Sequence, residues 1–406
     1  MKRPVVVTGL GAVTPLGTTI SASWEALIAG RDAEAPVEIF DTSGCRCHRA
    51  AVASLPPLPG LSPKALSRLP RASRLAIPAA REALAAAGLL GPDGKCLLPI
   101  LPLSLSTTAG GMAFGEDFLR NILARKCSRL LGPAARYLPE QQVLDLQQAL
   151  GIEGPSTIIA NACASGANAI GHAAEMVSSG LTDCVLAGGF EALTELVFVG
   201  FDCLQATTTE RCRPFDLHRS GLLLGEGAAF LLLETPQHAL ERAARPLCLL
   251  SGYGHGTDFF HLTQPQPIGS ILTNVMQQAA RQANIKPSEI GYINAHGTAT
   301  PVNDGAEAKS YRNFLNGALE QTRISSTKAA IGHALGAAGS IEAVFAIQTL
   351  TSRKLPPQLN LHTPLPDIAP ALVTESQSSC RLDHTMSVNL GFGGSNAALL
   401  FSRNEN

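Results

Sequence analysis

The chain repeats one pattern twice, and that repetition limits its fold more than any other feature. Short apolar, β-branched runs such as Val5-Val-Val-Thr and Ser156-Thr-Ile-Ile-Ala160 alternate with Ala-rich stretches whose apolar residues recur at helical spacing. In the first half the pattern predicts strands at 5–13, 98–106, 156–160 and 183–191, then a hairpin-like pair of strands within 221–234. In the second it predicts strands at 248–252, 291–295, 324–327, 372–375, 385–389 and 397–402, with helices at 271–283, 304–317 and after Gly336. The polar stretch 239–244 reads as a link, so the expected units are an N-terminal half, 1–244, and a C-terminal half, 245–406. Strands alternating with helices over two similar halves predict an α/β architecture with mostly parallel central sheets.

Within the first half, the run ending at Ala160 leads into Asn161-Ala-Cys163-Ala-Ser-Gly166, and a helix is expected over about 165–179. Cys163 therefore stands on a turn before a helix N-terminus. Unpaired N–H groups and the helix dipole there favour an anion, so a lowered thiol pKa is expected. Small neighbours (Ala162, Ala164, Gly166) leave room for a substrate to reach the sulfur. A single cysteine is more often core filler; its partners decide. His296 lies in Asn294-Ala-His-Gly-Thr298-Ala-Thr300, at the end of an apolar strand, where open α/β sheets place ligands. His333 lies in Ser326-Thr-Lys328-Ala-Ala-Ile-Gly-His333, a glycine turn before an Ala-rich helix. Asn389-Leu-Gly391-Phe392-Gly-Gly394-Ser-Asn396 is a glycine loop between the last two strands. Two histidines at glycine-rich strand ends and a turn-borne cysteine point to a thiol enzyme.

Other motifs carry less. Gly9-x-Gly11 after a strand suggests a dinucleotide loop, but the third glycine is missing and Pro15 stands where a helix should begin. Cys45-Arg-Cys47-His48 lacks a second ligand pair and reads as a surface loop. Residues 64–88 look helical with a basic first half, broken or kinked at Pro70 and Pro78. A net charge of −1 excludes nucleic-acid or membrane-surface binding through bulk charge. With 45% hydrophobic and 16% charged residues among 406, the chain can fill a large core and bury a subunit face. Ten scattered cysteines do not form a secreted disulfide framework, and no apolar signal core opens the chain, so a cytoplasmic setting is expected.

Together these motifs resemble the β-ketoacyl-ACP synthases of the thiolase superfamily, over nearly the whole chain. Ala-Cys163-Ala-Ser-Gly-Ala, Asn-Ala-His296-Gly-Thr, Ser-Thr-Lys328 with Gly-His333, and Gly-Phe392-Gly-Gly stand in that family's order. The Cys-His-His set looks like the elongating members. The resemblance implies a thiolase-like fold of two similar halves in a layered α-β-α-β-α arrangement. It also implies an activity: decarboxylative condensation of malonyl-ACP with an acyl group held on Cys163, in fatty-acid, polyketide or polyene elongation. The alternatives are a non-catalytic chain-length-factor-like subunit or scaffold, and a CoA-dependent acyltransferase.

By the same resemblance Cys163, His296 and His333 are catalytic, and the N–H groups of Cys163 and Phe392 form an oxyanion hole, with Phe392 also a gate. Lys328, Glu342, Asp304 and Glu307 are supporting residues. Thr298, Thr300 and Thr263 line the pantetheine arm, with Leu390 beside the gate. Ala109 stands where many elongating members carry a bulkier residue limiting the acyl pocket. Val388 takes the place of a polar residue, which counts against the cation that members often hold beside Glu342 and Asn294. Arg68, Arg71, Arg74 and Lys126 are candidates for docking the acidic acyl carrier protein. A dimer is implied, either with a second copy or with a chain-length-factor-like subunit. No metal, nucleotide or redox cofactor is implied, and neither nucleic acid nor membrane is an expected partner.

Overall fold

The computed structural model describes residues 3–59, 62–124, 135–378 and 382–404. Ten strands form its main sheet. The first half supplies β1 (Val6–Val13), β2 (Leu103–Ser106), β3 (Ser156–Ile159), β4 (Cys184–Glu191) and β5 (Gly227–Glu234). The second supplies β6 (Cys248–Thr257), β7 (Tyr292–Asn294), β8 (Arg323–Ser325), β9 (His384–Leu390) and β10 (Ser395–Ser402). Across the sheet the order is β8-β7-β9-β10-β6-β1-β5-β4-β2-β3. Counted outward from the central β6–β1 contact, both halves follow the same order and the same strand directions. They join where Val6 and Val7 pair with Leu249 and Cys248.

The expectation of mostly parallel sheets needs correction. Each half has one parallel trio (β4-β2-β3, β9-β7-β8), but its last strand inserts antiparallel between that trio and its first strand. Helices α2 (Ser165–Ser179) and α5 (Ala338–Ser352) share one core with residues of β1, β5, β6 and β10. Helix α1 (Arg71–Ala86) packs outside the first-half strands, and α3 (Ser270–Ala283) and α4 (Pro301–Leu315) outside the second. This is the layered α-β-α-β-α arrangement.

The Gly9-x-Gly11 pattern has a packing role. Both residues lie inside β1, and a Cβ on Gly11 would sit 1.9 Å from the carbonyl oxygen of Ala79 in α1. On Gly9 it would sit 2.2 Å from that of Ala83. The second half repeats the device: Gly254 and Gly252 of β6 would meet the carbonyls of Val275 and Ala279 in α3, at 2.0 and 2.1 Å. Two glycines on one strand face thus admit two successive helical turns, a contact no side chain would permit.

Several local expectations change with the packing. Pro78 sits inside α1 without ending it, because the helix buries a continuous Ala/Leu face; Pro70 is its N-cap. Of the proposed hairpin only Gly227–Glu234 is a strand, while Leu222, Leu224 and Gly225 make isolated bridges to Thr207, His333 and Ala51. Residues 372–375 hold one bridge, Leu372 to Ile324, rather than a strand. The Cys45–His48 segment is not a free surface loop: Cys47 is buried, and the amides of Arg46 and Cys47 donate to Asp202.

Replacing Gly11 by Ala should overpack the β1–α1 contact and cost about 1–3 kcal/mol or more of stability, read as a lowered midpoint in denaturant unfolding. An unchanged midpoint would mean that the helix can move aside.

Candidate active site

Cys163 lies in a single 3-10 turn, Ala162–Ala164, directly before α2. The turn is strained: Ala162 has φ of 58°, a left-handed conformation uncommon for a residue with a Cβ. It is held because the hydroxyl of Ser165 accepts from the Asn161 amide at 2.8 Å and donates to the Ala162 carbonyl at 2.5 Å. The glycine loop lies against it. A Cβ on Gly391 would be 3.2 Å from the Cys163 amide nitrogen, and the neighbouring Phe392 N–H pulls the thiol pKa down. Gly393 and Gly394 both have positive φ, and their loop is tied to the 258–262 segment, Gly393 N to the Leu262 carbonyl at 2.7 Å and Asp258 N to the Gly394 carbonyl at 2.8 Å.

His296 follows β7. The segment after it folds back on α4, whose carboxylates cap it. Glu307 accepts from the amides of His296 (2.6 Å) and Gly297 (2.8 Å), and Asp304 accepts from those of Ala299 (3.1 Å) and Phe215 (2.8 Å). Ala299 too is held at positive φ, 64°. His333 is fixed through its backbone: its N–H donates to the Leu223 carbonyl at 2.7 Å and its carbonyl accepts from Gly225 N at 3.0 Å. The two imidazoles meet edge to face, with centroids 5.3 Å apart.

Lys328 and Glu342 form a fully buried ion pair. The lysine ammonium also donates to the His296 carbonyl at 2.7 Å and lies 3.3 Å from His296 Nδ1. An ammonium can only donate, so Nδ1 accepts and the ring proton sits on Nε2. The second oxygen of Glu342 accepts from the Asn389 amide at 2.6 Å. Burial and the Lys328 charge hold both imidazoles well below the ordinary value of 6.5, so both are neutral near pH 7.

The thiol departs from expectation. Burial pushes Cys163 up to about 11, against the downward pull of Lys328 and the Phe392 N–H. The helix-terminus argument gives the wrong net direction because Cys163 is buried, only 5% exposed, and desolvation of a thiolate outweighs nearby dipoles.

Cys163, His296 and His333 line one cavity of about 240 Å3, together with Thr263, Thr298, Thr300, Leu390 and Phe392. Thr298 and Thr300 hydroxyls lie 3.0 Å apart, and Thr263 is exposed at the rim. Phe392 stacks on Phe201 at 5.7 Å, a partner that sequence reading missed. Glu191 was missed as well, though a carboxylate closing an otherwise apolar strand is a visible signal. Asn294, Ser387 Oγ and Asn389 Oδ1 are buried without partners among the described residues.

Two expected placements fail. Ala109 is not on the cavity wall; it is buried, with its N–H donated to Glu191 at 2.7 Å. Arg71 is not a solvent-facing docking residue, because it reaches inward to pair with the buried Glu226 and the Ala53 carbonyl. Arg68 is exposed and Arg74 half-buried, while Lys126 lies outside the described residues.

Comparison with known proteins covers nearly the whole chain. The β-ketoacyl synthase N-terminal domain family matches residues 2–239 and its C-terminal domain family residues 247–362. A relative named 3-oxoacyl-[acyl-carrier-protein] synthase 2, from Coxiella burnetii, is 34% identical over 413 residues, covering 99% of each chain. Among solved structures, the ishigamide ketosynthase/chain length factor superposes with a TM-score of 0.90 at 28% identity, covering 100% of both chains. A type II polyketide synthase ketosynthase, solved with its acyl-carrier protein and bound to the hexaketide, gives 0.90 at 25% identity, also covering 100% of both. The chain belongs to the β-ketoacyl synthase family. It is an acyl-transferring enzyme that forms carbon–carbon bonds.

Because the histidines are held below 6.5, condensation should show no acid limb through the ordinary imidazole range. Stability has the opposite sensitivity. Below about 6.5 the unfolded chain takes up protons that the folded imidazoles refuse, so stability falls as pH drops. A kcat profile from pH 5.5 to 8 with an inflection near 6.5 would contradict the neutral-pair assignment.

Proposed function

We propose that this β-ketoacyl synthase elongates acyl chains held on Cys163, and that His296 and His333 stabilise the enolate formed when malonyl-ACP loses CO2. The observation that carries this reading is the meeting of one sulfur and two neutral imidazoles, from three distant segments, in one cavity.

In the first step the Cys163 sulfur attacks the acyl thioester, forming a new S–C bond. The thiol proton leaves during attack, a neutral imidazole being the available acceptor, and the carrier thiol departs with a proton. The tetrahedral oxygen takes hydrogen bonds from the Cys163 and Phe392 amides. In the second step malonyl-ACP loses CO2, and its thioester oxygen gains negative charge. His296, with its proton on Nε2, and His333 donate to that oxygen. Neutral donors suit this role because a cation there would hold the malonyl carboxylate as an ion pair. The enolate carbon then attacks the acyl carbonyl, the C–C bond forms, the C–S bond breaks, and the released Cys163 thiolate takes a proton from solvent.

Lys328 and Glu342 set the His296 tautomer, and Asp304 and Glu307 shape the segment bearing it. Thr298, Thr300 and Thr263 line the path of the pantetheine arm. Phe392 and Leu390 sit at its inner end, with the Phe392–Phe201 stack as the gate.

The partner is an acyl carrier protein, with Arg68, Arg74 and Lys126 as its remaining docking candidates. A dimer, with a second copy or a chain-length-factor-like subunit, is supported by the exposed edge strand β3 and the exposed Leu119, Ile122 and Leu196. Cytoplasmic location is part of the same reading: the eight described cysteines are free thiols, and no described helix is long and apolar enough to cross a membrane.

Intact mass after incubation with acyl-ACP, then with malonyl-ACP, tests the mechanism. His333→Ala should still acquire acyl mass while product formation falls about 100- to 1,000-fold, and Cys163→Ala should acquire none. Wild-type enzyme that loads but never extends would indicate a non-condensing subunit or a simple acyltransferase. Native mass of the purified chain, alone, reads the oligomer: a monomer at micromolar concentration would favour an obligate heterodimer.

A further inference from the structure

Glu191 closes β4 with a carboxylate that no solvent reaches, and it does not line the cavity. Its oxygens nonetheless gather donors from two loops. From the first it accepts the Thr107 hydroxyl (3.0 Å) and the amides of Thr108 (2.7 Å), Ala109 (2.7 Å) and Gly110 (3.3 Å). From the second it accepts the amide of Gly336 at 2.9 Å. Gly336 is three residues beyond His333. Its carbonyl is held in turn by the Ser106 hydroxyl at 2.9 Å, so this one residue is tied to the ends of both β4 and β2. Between them Leu335 is forced to a φ of 46°, a conformation that a branched residue does not hold unaided.

We propose that Glu191 is a positioning residue for the second half-reaction, a carboxylate clasp between the 107–110 loop and the turn that carries His333. The inference rests on the reading of His333 as an enolate-stabilising donor. His333 has two backbone anchors before the turn, to Leu223 and Gly225, while the Glu191–Gly336 bond fixes the chain just after it. Without that bond Leu335 can relax towards an ordinary conformation, and the imidazole direction is then set by the upstream anchors alone. Cys163 depends on the clasp less directly: its turn packs beside the 335–337 turn and feels the Glu191 charge weakly, but its hydrogen bonds run to Ser165 and none to Glu191. Loss of the clasp should therefore separate the two half-reactions, which a general loss of folding would not do. The carboxylate is also the only acceptor shape that suits all these N–H donors, since an amide of equal size would turn an NH2 group towards one set of them.

The test uses full-length Glu191→Gln, with octanoyl-ACP as the acyl donor and malonyl-ACP as the extender. Rates of octanoyl loading on Cys163 and of CO2 release with product formation are followed separately. Loading should stay within about twofold of wild type, and condensation should fall about ten- to a hundredfold, the usual range for a residue that orients a catalytic group. Thr107→Val, which removes one hydroxyl donor, serves where Glu191→Gln does not fold; it should give a smaller loss of the same kind at an unchanged melting temperature. Equal losses in both half-reactions, or no loss in either, would overturn the proposal. Wild-type enzyme that loads octanoyl but releases no CO2 would instead count against the functional reading.

Discussion

The buried ion pair of Lys328 and Glu342 is the interaction on which the site depends. Both side chains are 1% exposed, so each charge would be intolerable without the other, and removal of one partner leaves a cost of about 3–5 kcal/mol. Its stabilising value is modest; its electrostatic effect is larger. The ammonium stands against His296, closes Nδ1 as a proton site, and makes a second positive charge at either imidazole unfavourable. The carboxylate faces away towards Asn389, so the pair joins α5 to β9 and to the loop bearing Phe392. One ion pair therefore fixes a tautomer, a charge state and the relation between two of the three active-site loops.

The site is also assembled from strained backbone. Ala162, Ala299 and Leu335 all carry positive φ, at 58°, 64° and 46°, and each stands within three residues of Cys163, His296 or His333. Such conformations cost of order 1–3 kcal/mol each and survive only where their surroundings fix them. Here the fixing groups are buried acceptors: the Ser165 hydroxyl, which takes the Asn161 amide beside Ala162, Asp304, which takes that of Ala299, and Glu191, which takes that of Gly336 beside Leu335. Each strained turn thus has its own acceptor, drawn from the rigid element next to it.

Legibility of the sequence followed the range of the forces involved. Strand and helix alternation is local, so helix 165–179 and the strands entering Cys163 and His296 were readable to within a few residues. The three residues that meet in the cavity were readable too, because glycine-flanked polar residues at strand ends are a local signature. Arg71 was misplaced because its partner, Glu226, lies 155 residues away, and a basic helix face looks the same whether it meets solvent or a buried carboxylate. The strand directions were misjudged because β5 and β10 insert beside strands far from them in the chain. The thiol was misjudged for a related reason: a helix N-terminus is visible in sequence, whereas the extent of desolvation is set by everything packed around the sulfur.

That last point bears on the order of events. A thiol pushed up to about 11 is protonated at rest, so nucleophilicity must be supplied at the moment of attack rather than stored as thiolate. The same burial that raises the thiol lowers both imidazoles, leaving proton acceptors beside a proton donor with no net charge among them. Acylation takes the proton from the sulfur until the condensed product leaves, and over that interval the same uncharged imidazoles have only donation to perform. Low dielectric, imposed once by packing α2 and α5 between the halves of the sheet, thereby serves both half-reactions without any change in the protonation state of the resting site.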